Sequence, residues 1–390
     1  MIKLIKSTFF EETTTKKKLG SFIQNSAQLS FGPQCEMFEN SFADWQNRKY
    51  CIFVNSGSSA NLALIQALSN LGNLKKGDLV GVSSLTWSTN VMPIIELGFI
   101  PVPIDVELNT LNISSRKLLE VLKTYSLKAL FITNLLGLCD DIDEITKMCN
   151  KKNILLIEDT CESLGTIYKN KKLGNFGLAS TFSFYVGHHM STIEGGAICT
   201  DDKEIADMLR IIRAHGWDRN LNEDTQTTIR NKHNVNSSFY SRYTFYDLGY
   251  NFRPTDINGF IGNIQLKYLP EIIKRRNANF LKLAPVIYEN EELFYAIKYA
   301  HIDFLSSFAI PVVCKSEKIR DDLVAKCNEK LEIRPIVGGD ITKQPFFIKN
   351  VKKMPINNPN ADLIHKQGFY FGNNPELTDS EIKEIITIFS

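Results

Sequence analysis

The chain has almost no net charge. Its 390 residues set 45 Lys and Arg against 43 Asp and Glu, a formal balance of +2. No long basic or acidic run departs from that balance, so neither nucleic acid nor an anionic membrane surface is an expected partner. Long apolar runs are missing as well. Met1-Ile-Lys-Leu-Ile-Lys6 holds no stretch of signal-peptide length, and runs such as Ile154–Ile157 are strand-sized rather than membrane-spanning. A cytoplasmic location is the expectation. The eight cysteines (35, 51, 139, 149, 161, 199, 314 and 327) are scattered without a C-x-x-C pair. That favours buried thiols over disulfides, zinc or an iron–sulfur cluster, and no metal is expected. Internal repeats and low-complexity segments are absent. So is lysine from one long stretch, since none occurs between Lys172 and Lys203.

What the chain does have is alternation. Apolar, β-rich runs at Tyr50–Val54, Leu79–Val82, Ile100–Ile104, Ala129–Thr133, Ile154–Glu158, Ser180–Tyr185 and Ala197–Thr200 predict strands. Amphipathic stretches such as Ser58–Leu71, Ser114–Thr124 and Ile142–Lys151 predict helices between them. Strands that are continuously apolar imply a largely parallel sheet covered on both faces, hence an α/β domain. After the polar stretch Arg219–Asn236, Thr255 reads as the N-cap of a long helix reaching Arg276. The rest reads as α+β. The expected division is a large domain over 1–260, including an N-terminal arm, and a smaller one over 261–390.

Several segments have the composition of a binding site. Asn55-Ser-Gly-Ser-Ser-Ala60 follows a strand and opens a helix, where small residues let backbone N–H groups approach an anion. A plain Ser-rich N-cap reads equally well. Asp159 ends a buried strand, where ligands bind in open α/β sheets and a carboxylate can pair with a protonated ring nitrogen. Glu162 either lines the same pocket or completes a capping box. Trp87 follows the strand ending at Val82 and can stack on a flat ring. His188 and His189 are adjacent, and one segment cannot easily aim both into one site. His215 is a third candidate histidine.

In order and spacing, these segments resemble the DegT/DnrJ/EryC1/StrS family of sugar enzymes that use pyridoxal phosphate (PLP). Phe31-Gly-Pro33, Leu248–Asp256 and Gly262 with Gln265-Leu266 extend the likeness to nearly the whole chain. The resemblance implies the type I, aspartate-aminotransferase-like fold: a large, mainly parallel-sheet PLP domain and a smaller C-terminal α+β domain. It also implies a homodimer with shared active sites. By the same likeness, Gly57 and Ser58 hold the cofactor phosphate, Ser183 adds a hydroxyl, and Asn251 reaches that phosphate from the other subunit. Trp87 covers the pyridine ring, Asp159 pairs with its nitrogen, and Glu162 lines the cofactor pocket.

The family's usual residue at position 188 is a lysine that binds PLP covalently, and here it is histidine. Gly187–Thr192, His215–Arg219, Arg334-Pro-Ile336 and His365–Phe369 with Gly372-Asn373 resemble the nucleotide-sugar 3-dehydratase branch, its GDP-sugar members most. That branch implies removal of the C3 hydroxyl from a nucleotide-linked 4-keto-6-deoxy sugar. Glutamate converts PLP to pyridoxamine phosphate (PMP), and ammonia and 2-oxoglutarate are released. His188 becomes the base, with a near-neutral pKa suiting both proton abstraction and protonation of the leaving hydroxide. His189, His215 and Arg334 are expected to face substrate, Arg334 through a carboxylate or phosphate. The implied products are 3,6-dideoxy sugars of lipopolysaccharide or capsule. Two alternatives stand beside this reading. One is an aminotransferase using a distant lysine, with Lys171 and Lys172 nearest in sequence. The other is a catalytically silent regulatory or partner protein, for which the full set of cofactor-type residues would have no use.

Overall fold

Seven strands of five residues each form one sheet in the computed structural model of the chain, which describes residues 1–351 and 357–390. They are β1 (Tyr50–Val54), β2 (Leu79–Ser83), β3 (Ile100–Ile104), β4 (Ala129–Thr133), β5 (Leu155–Asp159), β6 (Ala179–Ser183) and β7 (Gly196–Thr200). Their spatial order is β1-β7-β6-β5-β4-β2-β3. Neighbours from β3 to β6 run parallel, while β7 is antiparallel to both β1 and β6. Successive residues of a strand enter different cores. Ile52 and Val54 join Val80, Val82, Phe131 and Ile157 on one side. Cys51 and Phe53, like Leu130, Ile132 and Leu156 further along the sheet, belong to other clusters. Burial on both faces is why these strands read as unbroken apolar runs.

The expected strands all form, with one early stop. β6 ends at Ser183 rather than Tyr185 because the chain turns there. The Phe184 N–H is bonded to the Gly195 carbonyl, and Tyr185 opens a turn closed by the His188 N–H. All eight cysteines are free thiols, seven of them buried and Cys161 half-buried. Two helices that were not anticipated, Glu12–Asn25 and Pro33–Gln46, precede the sheet. A third, Glu223–Lys232, lies within the polar stretch and buries no residue, so it has no apolar stripe to read.

Thr255 caps the long helix Asp256–Tyr288 through a capping box with Asn258. The helix passes Pro270 and continues beyond the expected end at Arg276, so the anticipated division at 260/261 falls inside it. Beyond it lies a second, antiparallel sheet of β8 (Ala309–Val313), β9 (Ile333–Arg334) and β10 (Gly368–Gly372), with β10 central. The N-terminal arm joins this smaller layer, whereas the sequence reading grouped it with the large domain. Ile2 bridges to Leu331, and the Leu4 N–H donates to Glu332 Oε2 at 2.9 Å.

Phe38 is fully buried, its ring edge-on to Phe53 at 4.8 Å and Phe184 at 5.2 Å. Phe38→Ala is expected to destabilise the fold by about 3–5 kcal/mol, the range for deleting a core aromatic. Denaturant midpoints measure this, and an unchanged midpoint would contradict the packing described.

Candidate active site

The C-terminal ends of β1, β4, β5 and β6 lie along one edge of the sheet, bringing Val54, Thr133, Asp159 and Ser183 together. Ligands bind at such edges because the chain leaves the strands there with free backbone groups and short polar residues. A cavity of about 530 Å³ opens over it. Of the residues expected at the site, Gly57, Ser58, Trp87, Asp159, Glu162, Ser183, His188 and Arg334 line it.

Asp159 is 5% exposed and accepts three hydrogen bonds. Asn61 Nδ2 at 3.1 Å and Asn90 Nδ2 at 2.7 Å meet Oδ2, and the Cys161 N–H at 2.9 Å meets Oδ1. A carboxylate offers about four acceptor positions, which leaves one for a ligand. Among the described residues no cation pairs with it. A buried acidic group held only by neutral donors suits the protonated nitrogen of a PLP ring. Asn61 and Asn90 escaped the sequence reading, because an asparagine on a helix or turn carries no signal of what it supports.

Beside Asp159, the Ser56 hydroxyl caps the helix Gly57–Asn70 by accepting from the Ser59 N–H at 3.0 Å. That leaves the first N–H groups of the helix free for an anion. Gly57 is required by crowding, since a Cβ there would lie 2.7 Å from Ser183 Cβ. Trp87, 53% exposed, stands at the mouth on a turn braced by the Thr86 hydroxyl, 2.7 Å from Thr133 Oγ1. These residues fit a flat ring bearing a phosphate. Arg334, on β9, is bonded by Nη2 to Glu332 Oε1 at 2.8 Å, so part of its charge is already engaged.

The two histidines separate. His188 lines the cavity, its ring between Tyr185 at 6.1 Å and Phe308 at 5.4 Å. Burial pushes its imidazole down to about 4, against the pull of the Asp159 carboxylate and with help from Arg276. The expected near-neutral value is therefore corrected downward by desolvation. His189 turns away from the cavity into the interior, where it is 3% exposed and its Nε2 meets the Ser306 carbonyl at 3.0 Å. Its expected role facing substrate does not match that placement. His215 and Asn251 lie outside the cavity too. The His215 N–H bonds the Tyr250 carbonyl, and exposed Asn251 accepts from Arg253 Nε at 3.0 Å.

Burial pushes Glu162 up to about 8, opposed by the Leu136 N–H and reinforced by Asp159. Its stabilising effect is therefore present at low pH and lost as pH rises from the ordinary 4.5 through 8, where the unfolded chain gives up the proton first. His188 has the opposite sign. Between about 4 and the ordinary 6.5 the unfolded chain binds more protons, so stability falls as pH falls. Only the Glu162 effect remains between 6.5 and 8. Glu162→Gln is expected to flatten the decline in melting temperature across that interval, and an unaltered decline would refute the assignment.

Residues 11–390 match the DegT/DnrJ/EryC1/StrS aminotransferase family. GDP-4-keto-6-deoxy-D-mannose 3-dehydratase of Escherichia coli O55:H7 is 37% identical over 370 residues, covering 92% of each chain. The enzyme of the same name from Yersinia pseudotuberculosis is 35% identical over 390 residues, 96% of each chain. A solved structure of GDP-4-keto-6-deoxymannose-3-dehydratase with a trapped PLP–glutamate geminal diamine superposes with a TM-score of 0.91 at 34% identity, covering 100% of both chains. With the family matched over almost its full length and the fold shared with these enzymes, the chain belongs to the DegT/DnrJ/EryC1/StrS family.

Proposed function

We propose that this protein is a PLP/PMP-dependent nucleotide-sugar 3-dehydratase that removes the C3 hydroxyl of a 4-keto-6-deoxy sugar, GDP-linked by analogy with its relatives. Glutamate is the amino donor, and 2-oxoglutarate and ammonia are released. The observation behind this reading is His188. It stands in a cavity suited to PLP, and among the described residues no lysine lines that cavity. Lys171 and Lys172, the alternative donors, form a short strand outside it.

When bound, PLP supplies an electron sink for carbanion chemistry on the substrate. Gly57, Ser58 and Ser183 would hold its phosphate, Asp159 its ring nitrogen, and Trp87 would cover the ring, while Glu162 presents a protonated carboxyl to the same pocket at pH 7. His188 is then neutral and free to accept a proton on its imidazole. Because that imidazole is a weak base, its protonated form is a correspondingly strong acid, able to pass the proton to the departing hydroxyl oxygen. Arg334 is placed to meet a carboxylate or phosphate with the part of its guanidinium not engaged by Glu332.

A homodimer belongs to the same reading. Phe239, Tyr240, Tyr243, Phe245 and Leu248 are each more than half exposed, close in sequence to Asn251. Exposed apolar side chains gathered in one segment call for a covering partner, and a second copy would bring Asn251 and His215 to its neighbour's site. Among the described residues no helix is long and apolar enough to cross a membrane. Eight free thiols suit a reducing compartment such as the cytoplasm.

Protein supplied with PLP, glutamate and a panel of GDP-, CDP-, UDP- and dTDP-linked 4-keto-6-deoxy sugars is expected to release ammonia and a 3-deoxy product from the GDP sugar. His188→Asn is expected to lose roughly 10²–10⁴-fold of that activity, the usual contribution of a general base. Formation of an amino sugar without ammonia would overturn the reading in favour of an aminotransferase.

A further inference from the structure

Arg276 places a cation where charge is costly. It lies on the long helix, 5% exposed, with no carboxylate in ion-pair distance among the described residues. Removing an ion from water is costly even after relaxation. The guanidinium is met instead by backbone carbonyls, with Nη2 donating to His188 O at 3.1 Å and Nη1 to Phe308 O at 3.3 Å and to Asn373 O. Desolvation lowers its pKa to about 9. An apolar side chain of similar volume would pack there without that penalty.

The three carbonyls are not a random set. Phe308 presents its ring to His188, and Ser306, two residues earlier, holds His189. Asn373, just past β10, returns Nδ2 to the Arg276 carbonyl at 2.8 Å and to Ser307 O at 2.9 Å. One side chain therefore ties the histidine turn to the segment that leads into β8 and to the residue just past β10, at one end of the small sheet. On its other side the turn is closed by the His188 N–H to Tyr185 O bond at 2.9 Å, and the chain around it by the Thr192 N–H to Phe184 O bond at 2.9 Å.

We propose that Arg276 is a positioning residue for His188, its fork bracing the His188 carbonyl against Phe308 and Asn373 and so fixing where the imidazole stands in the cleft. The inference rests on His188 being the base. The charged and titratable groups around that imidazole are Asp159 from β5, Arg276 from the long helix, and Tyr185 and His189 from its own turn. The Phe308 segment contributes an aromatic ring and carbonyls. Asp159 favours the protonated imidazole and Arg276 opposes it.

The chain has six histidines, so selective ¹⁵N labelling of imidazoles gives a readable titration, with His188→Asn identifying the His188 signal. Arg276→Lys keeps the charge and loses the fork. It is expected to lower kcat for ammonia release roughly 10- to 100-fold, the scale of a small misplacement of a reacting group, with sugar KM and PLP affinity nearly unchanged. Arg276→Gln loses the charge as well, and is expected to move the His188 titration and the acidic limb of kcat to higher pH. An Arg276→Lys turnover within about two-fold of wild type, beside an inactive His188→Asn, overturns this inference and leaves the base assignment standing. An active His188→Asn overturns the base assignment itself. Failure of both Arg276 variants to fold, or loss of PLP binding with an unmoved His188 titration, also overturns it, since the arginine would then serve the fold alone.

Discussion

The bonding of Asp159 sets the geometry on which the rest of the site depends. Its side chain ends a strand buried on both faces and is fixed by two asparagine amides and one backbone N–H. Those donors come from the helix Gly57–Asn70, the turn after Trp87 and the chain just past β5, so one carboxyl group locks three segments in register. The same helix presents its free N-terminus to the cavity, and the same turn carries Trp87. The helix N-terminus, Trp87 and Asp159, proposed to meet the phosphate, the ring face and the ring nitrogen, are therefore set at fixed separations by a single hydrogen-bonded node, as holding a cofactor without a covalent bond would require.

Holding by contacts alone changes what the remaining position can do. A lysine at 188 would be occupied with the cofactor, whereas in the proposed reaction the imidazole is free to move protons. Its environment suits that task in one direction strongly. Burial against Phe308 and the charge of Arg276 keep it neutral, and Asp159 limits how far the depression goes. The protonated form is thus unstable in place and passes its proton on readily. Glu162 is shifted the other way by the same enclosure, so the lining of one pocket holds both a neutral imidazole and a neutral carboxyl at pH 7.

Much of this was legible in the sequence because it is written in local patterns. Strand cores appear as apolar runs, and their C-terminal ends are marked by the Ser56-Gly57 turn, Asp159 and Ser183. What was not legible depends on long-range contact. Asn61 and Asn90 look like ordinary helix and turn residues until Asp159 is placed against them. His188 and His189 are chemically identical in the sequence, and only the turn closed on Tyr185 decides which one faces the cavity. Arg276 reads as one of several basic residues on a long helix. The N-terminal arm pairs with Glu332 across 328 positions, a contact no local pattern announces. The imidazole's pKa follows from burial, so the near-neutral expectation could not have been improved without the fold.

The fate of glutamate nitrogen separates dehydration at His188 from amination of the sugar. Protein, PLP, ¹⁵N-glutamate and GDP-4-keto-6-deoxymannose would be incubated together, and the label followed by mass spectrometry. A 3-dehydratase puts ¹⁵N in free ammonia and none in a sugar product that has lost its C3 oxygen. Label retained in the sugar, with that oxygen still present, would contradict the dehydratase reading.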